Sequence, residues 1–309
     1  MTELITGLLS GSIMYAVSVL YAGIGETFTE RAGIMNLGIE GIMLMGGVTA
    51  CLTAVQTKSL LLSVLAVILV GALFGLVFSF LTVTLQSDQT VCGMAILVFG
   101  TGLSGYLGKD IASTPVNLKF KPFYLPVLGK IPVIGEILFH QNLLVYLMYL
   151  ILPLAVFYIT RTRWGLKLRA LGENPAALDS AGENVYLMRY GYTIFGTVMM
   201  ALSGAFVCLA HTNVWQDEMT AGKGWIAFAL VAFAGWNPAK LAFGALLFGF
   251  ISNLGSNLQI YLPGIPSEIY AMMPYVVTIL VFIISTGSFR GRLSDQPAML
   301  TKPYDRESR

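Results

Sequence analysis

Within eleven residues of an otherwise apolar stretch lie four side chains able to exchange protons or hydrogen bonds. Glu30, Arg31, Asn36 and Glu40 belong to the run ERAGIMNLGIEGIMLMGG, residues 30–47. Polar groups at membrane depth are costly, and where they persist they face a bundle interior or a water-filled path. Gly33, Gly38, Gly41, Gly46 and Gly47 punctuate the run. Glycines let helices approach closely, or let a helix break where it lines a cavity. Asn36 and Glu40 are four residues apart and are read on one helix face. Two roles fit them. They line a path for a polar solute, with aromatics such as Phe99 offering a stacking surface, or they tie helices together by hydrogen bonds.

A second polar set, Asn253, Ser256 and Asn257, recurs as i, i+3 and i+4. It either staples helices or lines the same path. Trp225 and Phe228 are read as stacking surfaces or interface anchors. His140 and His211 fall at outer span ends and read as anchors. Cys51, Cys92 and Cys208 fall inside apolar spans without metal-ligand spacing and read as small buried hydrophobes. The Gly-Lys pairs at 108–109, 129–130 and 222–223 lack the trailing Ser/Thr of a phosphate-binding loop. Any ATP hydrolysis that powers transport therefore belongs to another polypeptide. Glu40 is the main deep carboxylate, with Glu26 and Glu30 near the inner surface, which is little for an ion-coupled carrier. No catalytic constellation, metal site or cofactor site is present in the pattern, and no nucleic-acid partner is expected.

The elements that must position these groups are apolar helices. The chain of 309 residues is 56% hydrophobic and 11% charged, with mean hydropathy +0.76; soluble domains carry roughly 25% charged residues. Since about 20 apolar residues span a bilayer, spans are expected near 4–25, 33–56, 60–84, 90–108, 142–160, 190–211, 223–236, 239–260 and 268–287. The expected fold is all-α: one integral membrane domain, 1–309, a polytopic bundle of about nine to ten transmembrane helices. With 161–189 in the cytoplasm, twelve of the Lys and Arg residues fall inside and six outside, and all nine arginines fall inside. The positive-inside rule supports that orientation, with the N-terminus outside provided 26–41 does not dip in and return.

Two connections are long enough to hold structure. The outer one, about 109–140, contains Pro115, Pro122, Pro126 and Pro132, which rule out one continuous helix, and a half-helix is expected at 131–139. The inner one reads RTRWGLKLRALGENPAALDSAGENVYLMR. Asn174-Pro175 is a helix start and Gly182 a stop, so a short rigid helix with small apolar residues forms a knob suited to a groove on another protein. The tail at 288–309 is read as solvated and cytoplasmic, near anionic lipid.

Three stretches together resemble one family. Residues 30–47 resemble the second-span signature of ABC importer permeases for nucleosides and simple sugars, within the branched-chain amino acid/ribose permease superfamily. KFKPFYLPVLGKIPVIGEILFHQNLLVY (119–146) resembles the outer loop of the nucleoside branch, and RWGLKLRALGENPAALDSAGENV (163–185) the superfamily's coupling segment. The resemblance implies a permease subunit in the cell membrane, paired with a second related permease, a cytoplasmic ABC ATPase and an extracytoplasmic substrate-binding lipoprotein. It implies an ATPase-coupling role for Gly172, Glu173, Asn174, Pro175, Ala176, Ala177, Leu178 and Gly182. Leu178 stands where many members carry Ala, and a slightly bulkier knob is expected. A ribose-like sugar or branched-chain amino acid permease is the alternative within the class, and a secondary carrier or channel the alternative outside it.

Overall fold

The computed structural model describes residues 2–112, 114–116, 118–124, 126, 129, 131, 134–262, 264–287 and 296–306, with the side chains of 2–5 and 281–287 left aside. The apolar runs fold as helices because a helix satisfies its own backbone where no water can. In chain order these are α1 (Thr2–Arg31), α2 (Ile39–Thr57), α3 (Leu60–Ser79), α4 (Gln89–Gly108), α5 (Ile134–Leu138) and α6 (Leu143–Arg161). There follow α7 (Arg163–Glu173), α8 (Pro175–Ser180), α9 (Val185–Phe206), α10 (Lys223–Phe233), α11 (Pro238–Tyr261) and α12 (Ser267–Gly287). Wider π turns extend α3 through Thr84 and α9 through Thr212.

Among the described residues seven helices are long and apolar enough to cross a membrane, and Lys223–Phe233 and the part of α12 whose side chains are described, Ser267–Leu280, are shorter apolar stretches. Burial sorts them. The best-buried windows belong to α9 (83%), α2 (72%) and α1 (61%), whereas α3 and α6 bury only 28%. α9, α2 and α1 therefore form the core. Exposed Leu61, Leu65, Leu69, Leu73 and Leu76 make the outer stripe of α3, the apolar face that lipid requires.

The helices run to and fro between two ends. At one end Arg31 closes α1 against Gly172 of α7, and Thr84 bonds Tyr190 of α9 at 2.6 Å. At the other, Asn253 of α11 donates to the Leu8 carbonyl at 2.6 Å, and Trp215 packs on Gly108. Gly71 and Gly75 seat α3 on α9, and Gly196 meets Gly25 of α1, whereas a side chain at Gly7 or Gly191 would meet nothing within 4 Å.

Several expectations are corrected. The span expected over 33–56 is not continuous, because residues 32–38 are non-helical and α2 starts at Ile39. Asn36 and Glu40 thus do not share a helix face. The inner connection holds α7 as well as the short α8, since Thr162 accepts from the Gly165 N–H at 3.0 Å and caps another start. Within the expected outer half-helix the described helix is Ile134–Leu138, residues 132 and 133 lying outside the described residues, and a two-residue ladder pairs Phe123 with Gln141 and Tyr124 with His140. Cys51 and Cys208 are joined as a disulfide between α2 and the α9 extension, with Cα atoms 6.4 Å apart, leaving Cys92 free. The tail is not simply solvated, for Leu300 and Tyr304 are buried.

Lys58 and Ser180 lie at opposite ends of the bundle. A cysteine placed at Ser180 is expected to react with an impermeant maleimide only in inside-out vesicles, and one at Lys58 only in intact cells. Labelling of both from the same side would contradict this to-and-fro path.

Candidate functional site

α1 stops because Gly33 adopts φ +83°, a left-handed conformation that disfavours a side chain. The Gly33 N–H then reaches the Glu30 carbonyl at 2.9 Å and the Ile34 N–H the Thr29 carbonyl at 3.1 Å, a Schellman closure. The chain that follows is broken inside the bundle, so its polar groups need protein partners. Gln89 accepts from the Met35 N–H at 2.8 Å, and Glu26 accepts from the Asn36 N–H at 3.1 Å. The Asn36 side chain accepts from the Gly38 N–H at 2.9 Å and donates to the Met200 sulfur at 3.8 Å. Asn36 is fully buried and forms the turn that leads into α2.

Glu40 ends this break and reaches a second one. One carboxylate oxygen accepts from the Thr220 hydroxyl and from the Gly222 N–H at 2.8 Å; the other accepts from the Gly224 N–H at 2.6 Å. These donors open α10, so the carboxylate sits against the positive end of that helix, where a negative charge is favoured. The opposite end of α10 is held by the start of the same motif. The Trp236 indole donates to Glu30, and Arg31 donates to the carbonyls of Trp236 and Gly235, each at 3.2 Å. Residues 30–40 thus clasp both ends of α10.

Beside the first turn of α10 is a cavity of about 210 Å³ between α1, α10, α11 and α12. Tyr15, Lys223, Ser252, Ser256, Gln259, Tyr270 and Tyr275 give it polar and aromatic walls. Tyr15 and Ser256 are linked at 3.0 Å, and Tyr275 donates to the Ala221 carbonyl at 2.6 Å. The polar residues on α11, Ser252, Ser256 and Gln259, follow i, i+4 and i+7 spacing, a signal legible in the sequence that shares only Ser256 with the set singled out there. Lys223 and the tyrosines come from three other helices, and no local spacing joins them.

The residues singled out from sequence therefore separate. Asn253 faces α1, and Asn257 donates back to it at 2.8 Å. Phe99 is 59% exposed on α4 and meets Phe74 at 6.2 Å between ring centres; it does not join Asn36 or Glu40. His211 packs edge-on against Tyr15 at 4.5 Å, and His140 stacks on Tyr124 at 3.9 Å. Among the described residues no cluster of His, Cys, Asp or Glu could hold a metal ion.

At the α7–α8 end, the Asn174 side chain accepts from the Ala177 N–H at 3.0 Å and Pro175 opens the helix. Gly182 takes φ +87°, and the Glu183 N–H returns to the Leu178 carbonyl at 3.3 Å. Lys167 pairs with Glu183 at 2.6 Å, tying α7 to the exit of α8. Pro175 and Leu178 are buried, while Glu173, Asn174, Ala177, Ser180 and Gly182 are exposed. Leu178 therefore packs inward and does not enlarge the outer face, which corrects the bulkier knob expected from sequence.

Residues 8–283 match a family described as branched-chain amino acid transport system / permease component. The chain belongs to this permease family. Across 98% of its length the permease is 33% identical to a guanosine ABC transporter permease of Bacillus subtilis, covering 97% of that protein. It is 32% identical to a nucleoside ABC transporter permease of Lactococcus lactis over 91% of this chain and 92% of that one. It is 33% identical to a protein of Haloferax volcanii provisionally named a glucose ABC transporter permease, over 97% and 98%. No solved structure matches it. The permease is a non-catalytic, multi-pass subunit of the plasma membrane, and ATP hydrolysis lies in a separate subunit.

Removing Glu40 leaves the donors of α10 unpaired in a buried setting. Hydrogen bonds to charged groups contribute about 1.5–3 kcal/mol each, so Glu40→Ala is expected to destabilise the permease by about 3 kcal/mol or more. Glu40→Gln keeps shape but loses charge and an acceptor, and is expected to speed amide exchange over 220–226. Unchanged melting for Glu40→Ala in detergent, with unchanged exchange over that window, would show that the clasp does not hold α10.

Proposed function

We propose that this permease moves nucleosides into the cell as one membrane subunit of an ATP-binding-cassette importer. The observation that carries the reading is its similarity, over nearly the whole chain, to permeases named for nucleoside and guanosine transport. The cavity chemistry agrees with it. Hydroxyls and an amide suit ribose and base edges, and tyrosine rings suit a base face. A sugar substrate is the second reading, favoured by the glucose-type relative; the hydroxyls alone would serve it, and the aromatic walls would not be needed.

In this reading nine helices cross the membrane, α10 and α12 with the seven longer ones, and the α7–α8 end is cytoplasmic. The alternation of ends and the arginine distribution support it. The substrate path runs beside α10 and α11, past Lys223, Ser252, Ser256 and Gln259, with Asn36 and Glu40 shaping it from behind and Asn253 and Asn257 tying α11 to α1. Phe99, on the exposed side of α4, takes part only if a second subunit covers that face. A cavity of about 210 Å³ falls below the roughly 300–1,000 Å³ usual for small-ligand sites. That supports a path completed by a second, related permease. Residues 172–178 and Gly182 form the coupling segment, which receives motion from a cytoplasmic ABC ATPase, and a substrate-binding lipoprotein delivers the nucleoside from outside.

Reconstitution in proteoliposomes tests the reading. Uphill guanosine uptake is expected only with the paired permease, ATPase, binding protein and ATP. Uptake by the isolated chain under an ion gradient would make it a secondary carrier, and glucose uptake without guanosine uptake would replace the substrate. Within the working assembly, Gln259→Ala is expected to lower guanosine transport about five-fold, the loss of one hydrogen bond of about 1 kcal/mol. Ala177→Arg is expected to abolish coupled uptake while leaving the permease folded, and normal uptake by that variant would remove α8 from the coupling role.

A further inference from the structure

The stretch 296–306, QPAMLTKPYDR, belongs to a tail read from sequence as solvated, yet it is built into the α7–α8 end. The Met299 N–H donates to the Gly172 carbonyl at 2.8 Å, and Pro297 lies against Gly172. Leu300 and Tyr304 are 8% and 7% exposed. The Tyr304 hydroxyl donates to an Asp179 carboxylate oxygen at 3.1 Å, and Arg306 donates to the same oxygen at 2.9 Å. Gln86, in the turn between α3 and α4, donates to the Tyr304 carbonyl at 3.2 Å. The Tyr304 ring lies 5.9 Å from that of Tyr186 at the start of α9. One short segment therefore touches α7, α8, α9 and the α3–α4 turn.

Six residues make α8, too few for a helix to hold its own orientation. Its caps fix where it starts and stops, and Pro175 and Leu178 seat one side. Asp179 extends toward the tail, and its side chain is 8% exposed against 66% for Arg306. The ion pair with the exposed Arg306 is screened by solvent, so the buried Tyr304 hydroxyl makes the steadier contact.

We propose that residues 297–306 are a strap that positions α8 for the ATPase, with Tyr304 and Arg306 acting through Asp179 as positioning residues for coupling. The proposal rests on the reading of α8 as the coupling helix. A push on a loosely held α8 would be absorbed by its flanking turns. With the strap in place, the same push is shared with Gly172, Tyr186 and Gln86, and so with the feet of α3, α4 and α9.

The test measures guanosine uptake and ATP hydrolysis in the same proteoliposomes, holding the complete importer, and compares uptake per ATP. The double variant Tyr304→Phe/Arg306→Ala is expected to lower that ratio at least five-fold while hydrolysis changes less than two-fold. Asp179→Arg alone is expected to be equally poor, and Asp179→Arg with Arg306→Asp to recover at least half the ratio. An unchanged ratio in the double variant would overturn the strap. So would equal impairment of the swap and of Asp179→Arg, since Asp179 would then touch the ATPase itself. Amide exchange on the permease alone in nanodiscs covers the case in which a variant fails to assemble. Exchange over 175–183 is expected to rise at least ten-fold in the double variant, and no change would overturn the proposal. A wild-type importer that hydrolyses ATP but moves no guanosine would sink the substrate reading and leave the strap to the exchange experiment.

Discussion

Non-helical backbone inside a lipid-embedded bundle has no water to turn to, so each open N–H must find an acceptor within the protein. Among the described residues two such stretches, 32–38 and the approach to α10 that ends at Gly222, meet at Glu40. Its carboxylate takes the N–H groups of Gly222 and Gly224 together with the Thr220 hydroxyl. Neutral acceptors would serve less well, because a buried charge earns its place only when fully hydrogen-bonded and set against a helix N-terminus. Without this contact the irregular approach to α10 and the first turn of that helix would be left unpaired together.

The rest of the bundle follows from that junction. α2 begins where Glu40 must stand, and α10 is pinned at its far end by Glu30 and Arg31. The short helix is therefore registered against the α1–α2 corner at both ends. The cavity lies beside the pinned first turn, with Lys223 as part of its wall. A solute passing there would be in contact with the element that the acidic motif fixes.

At the other end of the molecule, the surface proposed for coupling is composite. The exposed face of α8 is made of Ala177, Ser180 and neighbouring small or polar residues, and its inner face is anchored by Leu178. α7 braces it through Lys167 and Glu183. Gly172 lies close enough to Arg31 that a side chain there would strike the Arg31 carbonyl. The α7–α8 end and the clasp on α10 thus meet at Arg31, which bonds Trp236 and Gly235 while abutting α7.

The sequence alone determined the membrane class, the approximate helices and the caps of α8, because each depends on local composition, length or a residue at a fixed offset. Asn174, Pro175 and Gly182 act on their own backbone, so their roles are legible without any distant partner. It also marked 30–47 as exceptional, since polar groups amid apolar neighbours stand out in any window. Only the tertiary structure decided what those groups do. The break at 32–38 is apolar enough to pass as helix, and Gly33 is one glycine among five nearby. Glu40 finds its donors about 180 residues away, and Tyr304 finds Asp179 at 125. Contacts across such separations leave no periodicity in the chain. They exist because packing brings distant elements together, and at Glu40 because the interior of the bundle offers those backbone donors no water.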